Sequence, residues 1–156
     1  MIVCNATPLI RFGKINRLDL LRDIFSKVII PSAVKEEVLV ENKPDSVIIE
    51  KAIDSKWIKV VNPKKILDFG LGKGESAAIC LAKEKNKSLI IDDAIAIKLA
   101  KALKLSVLRT TSVILIGVNK KIINKKDRAL LLNKIVENGY YINPYYYSTI
   151  LERLKA

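Results

Sequence analysis

The side chains of this chain that could do metal or hydrolytic chemistry are oxygen donors: Asn5, Glu37, Glu75, Asp92 and Asp93. Histidine is absent from all 156 residues, so the usual catalytic base and the usual zinc ligand are both missing. Any metal centre has to be built from oxygen ligands, which favours Mg²⁺ or Mn²⁺. Two carboxylates about 4 Å apart repel by roughly 4 kcal/mol at an effective dielectric near 20, so acids brought together call for a cation. A divalent ion removes that cost, polarises a phosphoryl oxygen and acidifies bound water, which supplies a nucleophile without histidine.

The elements that must position these residues follow from apolar runs and breakers. Met1 to Cys4 reads as a short buried strand with Asn5 at its carboxyl end, and Thr7 and Pro8 read as the N-cap and first residue of a helix. Leu18, Leu21, Ile24 and Phe25 recur at helical spacing, Val28 to Ile30 is strand-like, and Pro31-Ser32 opens a helix through Val40 that carries Glu36 and Glu37. Lys43 to Ser46 breaks the pattern before a helix over Val47 to Ile53 and a strand over Trp57 to Val61. A loop with Gly70, Gly72 and Gly74 leads into a helix from Glu75 to Lys85. Leu89 to Ile91 then forms a strand ending on Asp92-Asp93. Ala94 to Leu103 is helical, Val107-Leu108 is a fifth strand, Thr110 to Ser112 offers caps for a helix from Val113, and the tail is helical.

Short apolar strands alternating with helices, without hairpin turns, predict a parallel sheet of about five strands with helices on both faces: a three-layer α/β sandwich in one domain over 1–156. In such sheets ligands bind beyond the carboxyl ends of the strands, where Asn5 and Asp92 fall. Glu75 in the first turn of its helix and Glu37 on the helix after the second strand could reach the same rim.

Each residue also has an ordinary structural role. Asp93 suits the N-cap of the helix starting at Ala94, which leaves Asp92 as the better ligand. Glu75 is favoured by the helix dipole whether or not it binds anything. The glycine loop fits neither of the common phosphate-cradle spacings, so flexibility and close packing before a helix explain it better. Five tyrosines, Tyr140, Tyr141, Tyr145, Tyr146 and Tyr147, crowd the carboxyl end, where packing of the last helix or a dimer contact competes with stacking on unpaired bases.

Twenty-eight basic against sixteen acidic residues give a net charge of +12 and a pI near 9.7, which suits a polyanionic partner or simply a lysine-rich surface. Lys98 and Lys101 on one helix face, the Lys120 to Lys126 cluster, Thr7 and Thr110 are the candidate nucleic-acid contacts. The longest apolar runs, such as Val113 to Val118, are far short of the roughly 20 residues a membrane span needs, and no secretion signal is visible; a cytoplasmic protein is expected.

Three stretches resemble PIN domains: Val3-Cys4-Asn5-Ala6-Thr7-Pro8-Leu9-Ile10, Gly74-Glu75-Ser76-Ala77-Ala78-Ile79 and Leu89-Ile90-Ile91-Asp92-Asp93. Ile30 to Val34, Trp57 to Val61 and the closing Gly139 to Pro144 are similar to an uncharacterised prokaryotic subgroup related to VapC toxins, and the likeness spans nearly the whole chain. The resemblance implies a Mg²⁺- or Mn²⁺-dependent endoribonuclease with an acidic quartet at Asn5, Glu37, Glu75 and Asp92, with Asp93 adjacent and Thr7 at the small hydroxyl position of the first motif. It also implies an RNA substrate, a small antitoxin partner and a homodimer. Two departures stand out: Asn5 replaces the usual Asp, and Ala94 to Ile97 lacks the basic residue common after the Asp pair. The alternative is a catalytically silent PIN-like module that binds RNA or protein.

Overall fold

The computed structural model describes residues 1–40 and 42–155. Its centre is a five-stranded sheet, all parallel, in the order β3-β2-β1-β4-β5: β1 (Ile2–Cys4), β2 (Val28–Ile30), β3 (Ile58–Val60), β4 (Leu89–Ile90) and β5 (Val107–Leu108). The Val, Ile, Leu and Cys residues of β1, β2 and β4 are almost wholly buried, as expected for central strands covered on both faces. β5, at the edge, is only half-buried.

Nine helices among the described residues connect and cover these strands. α1 (Ala6–Lys14), α3 (Ser32–Val38), α4 (Pro44–Asp54) and α5 (Lys73–Lys85) pack on one another, with α5 also against β1. α2 (Asp19–Phe25), α7 (Thr110–Asn119), α8 (Arg128–Glu137) and α9 (Pro144–Lys155) form a second group, with α2 against β2. α6 (Ala94–Ala102) links β4 to β5. Phe12, Leu9, Leu20, Leu21, Ile49, Ile79 and Leu81 are fully buried between these layers. No helix among the described residues is long and apolar enough to cross a membrane, and Cys4 and Cys80 are both buried free thiols.

The strand order matters for function. From β1 the chain first moves outward through β2 and β3, then returns to the other side of β1 for β4 and β5. The reversal leaves a crevice beyond the carboxyl ends of β1 and β4, the usual place for a ligand in an open α/β sheet. Asn5 N donates to the Ile90 carbonyl at 2.9 Å, which ties the two strand ends together at that point.

Several helix starts differ from the sequence reading. α1 begins at Ala6, and the extended N-cap position belongs to Asn5 rather than Thr7. The strand-end hydrogen bond sends the chain straight from β1 into the helix, and Pro8 is tolerated because the first-turn N–H groups have no intrahelical acceptor. α3 ends at Val38, two residues before Val40, and Ser46 Oγ caps the Val38 carbonyl at 2.9 Å. α4 starts at Pro44, where the fixed φ of proline favours a first helical position, so the residues read as a breaker are its first turn. α7 starts at Thr110, three residues ahead of Val113, with Ser112 Oγ accepting from Arg109 N at 3.0 Å.

Candidate functional site

Around the carboxyl end of β1, the Asn5 side chain is buried, and its amide oxygen has no hydrogen-bond partner. Because the helix N-cap here makes no side-chain bond, that oxygen is left for something else. A buried acceptor without a donor costs about 1–3 kcal/mol, which marks the position as one where a ligand is expected.

α3 and α5 meet beside it. At Gly74 an added Cβ would lie 2.8 Å from Glu37 Oε2, 3.4 Å from Val34 Cγ2 and 3.8 Å from Asn5 Oδ1, so Glu37 and Asn5 approach one point that only a glycine leaves open. The glycine loop thus packs closely at Gly74, while Gly70, with φ of +73°, supplies the turn. Glu75, the next residue, is half-buried in the first turn of α5. Burial pushes its carboxyl pKa above the ordinary value, and the charges of Asp93 and Glu37 push it further in the same direction. Glu75 therefore feels acids from two other elements at this rim.

Asp92 is differently placed. Its Oδ1 accepts from Thr110 N at 3.0 Å and from the Tyr140 hydroxyl at 2.6 Å, and its Oδ2 accepts from Thr110 Oγ1 at 2.7 Å. Burial, together with the Asp92 charge and the hydrogen bond to it, raises the Tyr140 phenol above its ordinary range. Burial and the same charge raise the Cys4 thiol beneath it. Asp93 accepts from Ala96 N at 2.9 Å as the N-cap of α6, and its exposed side chain still faces the rim.

A cavity of ≈ 580 Å³ opens over these residues, lined by Thr7, Glu75, Asp92 and Asp93. Arg11, Arg109 and the carboxyl-terminal segment Gly139 to Asn143 with Tyr146 line it as well. Glu75 also lines a smaller cleft of ≈ 330 Å³ shared with Glu36, Glu37 and Gly74, so it stands between the two openings. Among the described residues no three His, Cys, Asp or Glu side chains converge as a ready-made metal nest. The donor set nonetheless suits a hard divalent cation: all ligand atoms are oxygens, the acids crowd one another, and the Asn5 oxygen is orphaned.

Of the sequence candidates, Thr7, Glu75, Asp92 and Asp93 line the main cavity, Glu37 lines the smaller cleft, and Asn5 and Glu37 approach one another at Gly74. Lys98 and Lys101 are exposed on α6 and do not line it. Thr110 is fully buried and gives both of its donors to Asp92, which places it inside the site rather than on an outward surface. Sequence reasoning passed over Arg11, Arg109 and the individual role of Tyr140. The only signal for them was the Gly139-Tyr140 stretch, because their proximity to Asp92 arises from tertiary folding.

Among solved structures, a PilT N-terminus domain protein, SSO1118, from the hyperthermophilic archaeon Sulfolobus solfataricus P2 is similar to this chain at 21% identity. The match covers 72% of this chain and 90% of that one, with a TM-score of 0.45. No curated protein matches. The family model DUF3368, described as a PIN domain, matches residues 1–156 in full, and the chain belongs to that PIN-domain family.

Proposed function

We propose that this PIN domain is a Mg²⁺- or Mn²⁺-dependent endoribonuclease of the VapC toxin type, working at the rim formed by Asn5, Glu37, Glu75 and Asp93 with Asp92 behind it. PIN domains are usually nucleases and typically use divalent metal ions. The observation that carries the reading is the unrelieved crowding at Glu75, where the Asp93 and Glu37 charges both act, beside a buried amide oxygen with no donor. Bound there, a divalent cation would supply Lewis acidity toward a phosphodiester and lower the pKa of water.

The chain's own residues have distinct parts in this scheme. Glu75 and Asp93 would hold the cation from two helix starts, Glu37 would close on it from the end of α3, and the neutral Asn5 oxygen would complete the set as a weaker ligand or orient the attacking water. Asp92, fixed by its hydrogen bonds from Thr110 and Tyr140, stands behind them at the strand end. The toxin assignment rests on the likeness of the Asn5, Glu75 and Asp92 motifs. It carries with it a small antitoxin whose basic segment would occupy the acidic rim, and a homodimeric assembly.

A second reading, a silent PIN module that binds RNA or protein, is favoured by the neutral residue at Asn5 and by the commitment of Asp92 to three internal hydrogen bonds. Incubation of the purified protein with single-stranded and structured RNAs in Mn²⁺ separates the two. Cleavage lost in Glu75→Gln and in Asp92→Asn supports the nuclease. Cleavage surviving both substitutions exposes a contaminant, and no cleavage in the wild type leaves the silent module.

A further inference from the structure

The cavity that the acids line also contains two guanidinium groups with no carboxylate partner. Among the described residues the ion pairs are Arg17–Asp19, Arg22–Asp23 and Lys85–Glu84; neither Arg11 nor Arg109 is in one, although Glu75, Asp92 and Asp93 line the same space. Both arginines are instead held by the carboxyl-terminal segment. The Arg109 guanidinium carbon stands 5.6 Å from the centroid of the Tyr146 ring, and the Tyr146 hydroxyl is 3.0 Å from Thr111 Oγ1. Arg11 Nη1 donates to the Asn138 carbonyl at 2.9 Å, and its buried Nε has no partner. Gly139, at φ +96°, leaves room for this contact: a Cβ there would come within 3.0 Å of Arg11 Nη1.

An arginine carries five N–H donors in a rigid fork, and these contacts use few of them. Arginines kept apart from nearby acids, and oriented by a ring and a backbone carbonyl, are set up for an anion that comes from outside. We propose that Arg109 and Arg11 form a phosphate-binding subsite for an RNA strand, holding a phosphate next to the one presented to the acidic rim. Tyr146 is the residue that positions Arg109. The two arginines come from the start of α7 and from α1. This subsite rests on the nuclease reading for its meaning, yet it is separable from it, because strand binding does not require a metal or a reaction.

The test is fluorescence anisotropy with a fluorescein-labelled oligouridylate of twelve nucleotides, in EDTA, at several salt concentrations. Arg109→Gln and Arg11→Gln should each weaken binding about tenfold, and each should lower the log–log salt slope by about 0.7, the value for one lost phosphate contact on a single strand. Lys27→Gln, at an exposed lysine before β2 and so at the amino ends of the strands, should change affinity less than about twofold. Tyr146→Phe keeps the ring and should bind like the wild type, while Tyr146→Leu should approach the Arg109→Gln value. Arg109→Lys, which keeps the charge without the fork, should fall between. Circular dichroism and melting of each variant separate lost binding from lost fold. Equal losses in Arg109→Gln and Lys27→Gln would overturn the subsite in favour of diffuse surface charge, as would a Tyr146→Leu variant that binds normally. Selective binding in EDTA without any Mn²⁺-dependent cleavage would overturn the nuclease reading and leave the subsite standing.

Discussion

Around Asp92, both carboxylate oxygens meet donors: Thr110 gives its N–H and its hydroxyl, and Tyr140 arrives from 48 residues away to give its phenol. Around Glu75, the charges nearby are negative, from Asp93 and Glu37, and at the preceding residue, Gly74, the orphaned Asn5 oxygen comes close. Both acids line one cavity. The first environment stabilises a carboxylate within the fold, while the second leaves one among like charges, where we propose that a cation binds. The same functional group is therefore an anchor in one corner and unrelieved in the other, and donor supply makes the difference.

Substitutions should rank accordingly in urea unfolding without metal. Asp92→Ala has the largest expected effect, a loss of about 3 kcal/mol, because it leaves the Thr110 and Tyr140 donors in a partly buried place without their charged acceptor. Tyr140→Phe keeps the ring and removes one of those bonds, for a loss of about 1.5 kcal/mol. Asp93→Ala removes the α6 cap to Ala96 N and should cost about 1 kcal/mol. Glu75→Gln is the smallest and is opposite in sign: with the like charge gone, metal-free stability should stay within about 0.5 kcal/mol of the wild type or rise. If Glu75→Gln destabilised as much as Asp92→Ala, the contrast between the two corners would fail.

Much of the fold could be read from the chain. Val28 to Ile30 and Leu89 to Ile91 announce buried strands by composition, and alternation with helices gives the parallel sheet. Asp93 as the α6 cap was legible because capping is local, a side chain reaching an N–H three residues on. The helix starts at Ala6, Pro44 and Thr110 were not: strand-end and tertiary hydrogen bonds set the first and the last, and Pro44 opens its helix instead of breaking the pattern. For the site, strand-end logic pointed to Asn5 and Asp92, and helix position together with the likeness to PIN domains pointed to Glu37 and Glu75. Nothing in the sequence separated the roles of Asp92 and Glu75. That distinction comes from Tyr140, and the wall of Arg11 and Arg109 comes from the folding-back of the segment after α8; both depend on contacts between residues far apart in the chain.

The claim that Glu75 sits in a rim awaiting a cation is tested most directly by titrating Mn²⁺ calorimetrically into the wild type and into Glu75→Gln. The account predicts binding to the wild type that weakens at least about tenfold in Glu75→Gln, as expected when one carboxylate ligand of an all-oxygen site is lost. Undiminished binding in Glu75→Gln, or none in the wild type, would contradict it.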